Sequence, residues 1–227
     1  MNGFDNNNKW KKPYKMSNNE DFERDGYFFC KNLVVDWEGL YVPIPVDQNG
    51  DRISGSMHFN TNGTIDFEAD EKQVSGSLAR YNFPHYKKLH NIIGKAIEPT
   101  LGIELHPTYY YERYYFVGQE LKRHNDRPAC EVSVTLQIGT NSKKPWPIWF
   151  EKPDGSESAI EMVNGDGCIY KGCERDHWRS PLQSKYNKYE RKWREVRKQK
   201  DDTYHHQIFL HYVSAQGPYV HHAFDKR

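Results

Sequence analysis

His124 and Asp126 stand two residues apart in the stretch RHNDR, and on an extended strand side chains at that spacing project to one face. A third residue of ligating type, His177, follows 51 residues after Asp126, just beyond the strand-like segment GDGCIYKG. Two imidazoles and one carboxylate on one triangular face leave the opposite positions of an octahedral ion open. That is what a redox-active ferrous ion needs to take a cosubstrate and O2 together. Zinc more often recruits cysteines or a third histidine. The chain holds 11 histidines, so one HxD spacing is weak evidence by itself. Its context strengthens it, because the pair leads into an alternating strand whose second face is polar.

The elements that would have to position these groups read mainly as strands. Thr108–Val117 is aromatic and β-prone almost throughout. Cys130–Ile138 alternates, with Val132, Val134, Leu136 and Ile138 on one face and Glu131, Ser133, Thr135 and Gln137 on the other. The polar face meets either solvent or a polar cavity. Segments 26–34, 146–150, 167–170 and 207–213 add further strands, and Asn62-Gly63 suggests a hairpin between 57–60 and 64–67. A helix is expected from about Pro84 to Pro99 on the stripe Tyr86, Leu89, Ile92, Ile93 and Ile97, with His85 and His90 beside it and solvated. A second, basic helix is expected over about 182–200, with Tyr186, Tyr189, Trp193 and Val196 on one side. It reads as a lid for an acidic or phosphate-bearing partner or, more readily, as a helix with its aromatics packed on the body. Short strands at turn-punctuated intervals suggest a jelly-roll barrel with helices packed outside.

The 227 residues suit one domain over 26–227, preceded by a polar tail over 1–25 that is mobile or loosely docked. With 16 Tyr, 11 Phe and 6 Trp the chain is too aromatic for a disordered one, and a net charge of +1 implies no partner chosen by overall charge. The four cysteines (Cys30, Cys130, Cys168 and Cys173) form no CxxC pair and read as reduced thiols of a cytoplasmic protein. No run is apolar enough to span a membrane.

The blocks HPTYYYERYYFVGQELKRHNDRPACEVSVTLQIG, WPIWFE, GDGCIYKGCERDHWRSP and HQIFLHYV occur in order and resemble the prolyl 4-hydroxylase-like branch of 2-oxoglutarate/iron(II) oxygenases. The likeness is greatest to small proteins of that kind in phage and bacterial genomes, and it covers roughly residues 75–227, the closing FDKR included. It implies a double-stranded β-helix of jelly-roll or cupin-like type, with His124, Asp126 and His177 as iron ligands. It also implies 2-oxoglutarate as cosubstrate, O2, an optional use of ascorbate, and a peptidyl proline as the default substrate. By the same resemblance, Tyr115 of the Tyr-x-x-Gly spacing lines the cosubstrate pocket, and Thr135 stands where a tyrosine commonly faces 2-oxoglutarate, with Ser133 on the same polar face.

One departure concerns the cation that anchors the far carboxylate of 2-oxoglutarate. The resemblance places an Arg or Lys at the start of the last strand, where this chain has His205 and His206. Arg179, two residues after His177, is the replacement expected here, since it would point to the side that His177 faces. Arg113 and Arg127 rank below it, and Glu131 is expected to pair with one of them. Adjacent histidines face opposite ways on a strand, so the pairs 205–206 and 221–222 read as structural or solvated. Of Trp146, Trp149 and Trp178, only Trp178 is placed to touch a substrate. Two other readings stay open: a cupin-type metalloenzyme without 2-oxoglutarate, and a non-catalytic jelly-roll binding module. The partner is expected to be a peptide or a small molecule, with nucleic acid less favoured.

Overall fold

The computed structural model describes residues 19–225. Most of the polar tail and the end of the FDKR match lie outside them. Three helices, Asn19–Asp25 (α1), Lys87–Leu101 (α2) and Lys188–Val196 (α3), accompany twelve strands. The strands are Tyr27–Cys30 (β1), Gly55–Phe59 (β2), Ile65–Glu68 (β3), Leu78–Tyr81 (β4), Leu105–Phe116 (β5), Leu121–His124 (β6), Val132–Thr140 (β7), Ile148–Glu151 (β8), Glu157–Ile160 (β9), Gly167–Tyr170 (β10), His177–Arg179 (β11) and Tyr204–Ser214 (β12). They form an eight-stranded sheet in the order β1-β10-β7-β12-β5-β4-β2-β3 and a four-stranded sheet in the order β6-β11-β8-β9. All neighbours run antiparallel except β2 and β4.

Both faces of the large sheet are covered at its centre, which explains why β5 is buried from Thr108 onward and β7 as far as Gly139. On one face Val132, Val134, Leu136 and Ile138 of β7 join Ile208, Leu210 and Tyr212 of β12 against Leu89, Ile93, Ile97 and Leu101 of α2. That is the apolar stripe doing what its spacing requires. On the other face Tyr109, Tyr111 and Tyr115 of β5 meet Phe209, while Tyr170 of β10 meets Phe150 of the small sheet. The polar half of β7 also points there: Ser133, Thr135 and Gln137 are buried, so the interior rather than solvent receives them.

Three expectations need correction. Asn19–Asp25 is helical, not part of a loose tail, because Phe22 is buried edge-on against Phe28. His90 is buried rather than solvated; its Nε2 lies 2.9 Å from the His211 carbonyl, and its ring packs between Tyr110 and Tyr212. The basic segment is helical only over α3, started by a capping box between Asn187 and Glu190. Its aromatics do not pack on the body, for Tyr189 and Trp193 are 84% and 53% exposed. The hairpin carrying α3 is tied at its base where Thr203 Oγ1 accepts from the Lys185 N–H at 3.0 Å. Thr203 precedes β12, and His211, the β12 residue beside Asp126, lies roughly 25 Å further along the strand. The segment is therefore an insertion tied down at the start of β12.

Candidate metal centre

His124 closes β6 and His177 opens β11, and the two are register partners in the small sheet. Asp126 is brought to them by its own N–H, which donates to Gly172 O at 2.8 Å. Gly172 is needed there: a Cβ would come within 2.4 Å of Cys130 O and 2.8 Å of Asp126 Oδ2. His124 Nε2 and His177 Nε2 then lie 3.4 and 3.7 Å from the same Asp126 Oδ1, with the imidazole rings 4.4 Å apart. Each Nδ1 faces a backbone carbonyl two residues earlier, Lys122 O at 2.7 Å and Arg175 O at 3.0 Å. Donation from Nδ1–H fixes the tautomer that leaves the Nε2 lone pairs aimed at the carboxylate.

Cis ligands bonded at about 2.1 Å stand roughly 3 Å apart, so each histidine is within a sub-ångström adjustment of sharing a metal with Asp126. The electrostatics agree. Burial works to raise the Asp126 carboxyl, but the neighbouring histidines outweigh it and hold its pKa below the usual value. Burial lowers His177, which keeps its imidazole neutral and able to ligate. At the more open His124 burial also acts downward, yet the hydrogen bond and charge of Asp126 raise the pKa overall. Two imidazoles, a carboxylate and two ring tautomers fixed from behind suit a hard or borderline divalent ion with open positions.

A loop before β4 reaches the same point. Gln73 Nε2 lies 2.9 Å from His124 Nε2, and Gln73 Oε1 accepts from Arg113 Nη1 at 2.7 Å. Because a guanidinium only donates, the amide cannot be reversed, and its N–H groups must face the centre. Glu71 ties the loop down: it pairs with Arg113 at 2.9 Å and accepts from the N–H groups of Gln73 and Val74. Nothing in the spacing around residue 73 marks it, so sequence reasoning missed it.

Behind the triad, Arg179 extends from β11 into the interior beside His177 and is 1% exposed. One donor goes to Trp146 O, and the guanidinium lies 4.8 Å over the Trp146 ring. With its amide turned as the donor-only arginine requires, Gln207 accepts from Arg179 at 3.2 Å and from His205 at 2.7 Å, and donates to Thr135 at 3.0 Å. Among the described residues no carboxylate pairs with Arg179, and burial brings its pKa down to about 10. Tyr115 is buried and meets Trp146 edge-on at 5.0 Å. Arg179, Thr135 and Tyr115 are thus linked through Gln207 and Trp146, while Ser133 lies closer to Asp126, at 3.5 Å from Oδ2.

The remaining candidates fall elsewhere. Arg113 serves Glu71 and Gln73, and Arg127 pairs with Asp225 at 2.6 Å. Glu131 accepts from the Ser214 N–H rather than from an arginine. His205 bonds Gln207, whereas His206 bonds Glu112 at 2.6 Å on the opposite face of β12, as alternation requires. Trp178 stacks on Trp149 beneath Arg123. A cavity of about 860 Å³ lined by Asn82, Lys87, Tyr110 and Asp225, among others, contains none of the triad. Gln207 and His211 were missed, although the period of two from His205 along β12 puts both on the interior face.

No protein-family model and no curated protein matches the chain. Its fold is similar to that of a prolyl-4-hydroxylase from Pseudomonas putida (TM-score 0.54, 14% identity, 85% of this chain and 95% of that one). It is similar also to a 2OG-Fe(II) oxygenase family oxidoreductase from Burkholderia pseudomallei (TM-score 0.53, 10% identity, 86% and 88% covered). A third is SnoK, a non-heme α-ketoglutarate-dependent carbocyclase from nogalamycin biosynthesis (TM-score 0.57, 9% identity, 89% and 85% covered). At these identities the likeness is one of fold.

Proposed function

We propose that this chain is an Fe(II)- and 2-oxoglutarate-dependent dioxygenase that hydroxylates a C–H bond. One observation carries the reading: a two-histidine, one-carboxylate face stands two residues along β11 from a buried arginine that has no carboxylate of its own among the described residues. A keto diacid spans those two features. Its keto and carboxylate end suits the open face of the metal, and its far carboxylate suits Arg179. Fold neighbours that include 2OG-Fe(II) oxygenases support the reading.

The bound ferrous ion, 2-oxoglutarate and O2 would supply the oxidising power, with succinate and CO2 released. The residues' own work is to bind and to exclude water. His124, Asp126 and His177 hold the ion, and the carbonyls of Lys122 and Arg175 fix the ring tautomers. Arg179 takes the far carboxylate, a step that requires Gln207 to turn away, and Thr135 supplies a hydroxyl beside it. The buried rings of Tyr115 and Trp146 beside Arg179 would keep the charge pair in a dry setting where it is strongest. Ser133, bonded toward Asp126 and His211, orients the ligand carboxylate rather than the cosubstrate.

The finer assignment, a peptidyl proline, rests on the fold shared with the Pseudomonas putida enzyme. SnoK shares that fold too, so a proline peptide is the first substrate to assay and not the only class the fold admits. The decisive experiment is an anaerobic titration with Fe(II) and 2-oxoglutarate, followed by exposure to O2. A weak visible charge-transfer band and then succinate are expected. No band and no succinate from folded protein would remove the proposal.

A further inference from the structure

On the side of Asp126 away from the histidine pair lies a second group of ligating side chains that the dioxygenase reading leaves without a role. Asp126, Cys130 and His211 bring a carboxylate oxygen, a sulfur and an imidazole nitrogen within 4.8 Å of one another. Cys130 and His211 are both deeply buried. The two oxygens of Asp126 divide between the groups. Oδ1 faces the two Nε2 atoms of the triad, while Oδ2 is turned to Ser133 Oγ at 3.5 Å. Ser133 Oγ in turn lies 2.8 Å from His211 Nδ1 and 3.2 Å from Cys130 O. The serine hydroxyl has one proton for two neighbours that can only accept, that carbonyl and Asp126 Oδ2, so it accepts from His211 Nδ1–H, and the lone pair of the ring then sits on Nε2. That Nε2 is buried and has no hydrogen-bond partner among the described residues. The thiol is held by Tyr109, whose hydroxyl lies 3.2 Å from Cys130 Sγ.

A buried acceptor without a donor costs free energy, and a metal ion is one partner that would satisfy it beside a thiol and a carboxylate. We propose that Asp126 is a bridging carboxylate and that Cys130, His211 and Asp126 Oδ2 form a second metal position. The donor set fixes the class of ion. Thiolate with imidazole selects a thiophilic divalent cation, zinc above all, and disfavours the hard ions that suit the triad. Binding exchanges the proton of Cys130, which leaves to solvent, for the metal–sulfur bond. An ion there shares the charge of the carboxylate that the triad uses, so the second position lowers the affinity of the first without excluding its ion. The first position rests on the dioxygenase reading; the second rests on its own three side chains.

Cobalt(II) is the probe, because a cobalt–thiolate bond gives a near-ultraviolet charge-transfer band that imidazole and carboxylate ligands do not. Reduced, full-length protein is titrated without oxygen. The wild type should bind two ions and develop the thiolate band, which added zinc abolishes. Cys130→Ser and His211→Gln should each bind one ion, without the band, and His124→Ala should bind one ion with the band retained. Two variants on different elements guard against a misfolded one. The proposal is overturned if the wild type shows no thiolate band, or if the band survives in Cys130→Ser and so belongs to another cysteine. The outcomes separate the two readings. A thiolate band without any Fe(II)–2-oxoglutarate band sinks the dioxygenase and keeps this site; the reverse does the opposite.

Discussion

Arg113 and Arg179 are both buried guanidiniums, and the difference between them assigns their work. Arg113 has Glu71 at 2.9 Å and acts within the fold, holding Gln73 over the metal centre. Arg179, among the described residues, has the Trp146 carbonyl, the Trp146 ring and Gln207 and no carboxylate. A buried cation without an anion costs several kcal/mol, and apolar replacement of buried charge is often neutral or stabilising. Replacement should therefore act in opposite directions on the free and bound protein. Arg179→Met should melt at or above the wild-type temperature without ligand, yet bind 2-oxoglutarate about 100-fold or more weakly, since removing one partner of a buried charge pair typically costs 2–5 kcal/mol. Saturating 2-oxoglutarate with Fe(II) should raise the wild-type melting temperature and leave that of the variant unmoved, with Fe(II) affinity alone nearly the same in both. Equal ligand-induced shifts would take Arg179 out of the pocket.

At the scale of elements, α2 is where local pattern and tertiary context part. Its apolar stripe is legible, because Tyr86, Leu89, Ile93 and Ile97 recur at helical spacing and all are buried. His90 was not legible: its partners, the His211 carbonyl and the rings of Tyr110 and Tyr212, come from strands whose register no local spacing records. The same limit applies at the site. The HxD pair is a local motif on one strand end and could be read directly. Gln73 and the Cys130–His211 group exist only once β5, β7 and β12 are in register. Burial of His90 has a measurable consequence. It brings the folded-state pKa down to about 4, against an ordinary value of 6.5, so the unfolded chain takes up the proton first as pH falls. Stability from this residue is whole above about pH 7 and is lost between about 6.5 and 4, by about 3 kcal/mol in all. His211, lowered to about 3 by burial, adds a loss of the same sign. Urea midpoints should fall steeply from pH 7 to pH 5, and His90→Gln, which keeps a donor for the His211 carbonyl, should flatten that fall. An unchanged slope in the variant would mean that His90 does not titrate on unfolding in this range.

Across the whole molecule, charge and structure are unevenly shared. Residues 182–200 carry eight Lys/Arg against two Glu in a chain whose net charge is +1, so the body that holds the metal centre is net negative. None of the α3 residues is buried, and the hairpin is closed at its base by Ser184 to Asp201 and Lys185 to Thr203. Those ties satisfy the two chain ends locally, which means the insertion contributes little to either sheet. Replacing residues 186–200 with a short Gly/Ser linker should accordingly change the melting temperature by no more than a few degrees, because exposed substitutions away from the core rarely matter. The shortened chain should keep both the Fe(II)–2-oxoglutarate band and succinate formation, while its isoelectric point moves well into the acidic range. Loss of the band in a variant that still melts cooperatively would show that α3 reaches the metal centre after all. Full retention of turnover on simple substrates, with activity lost only on larger ones, would place α3 in partner choice.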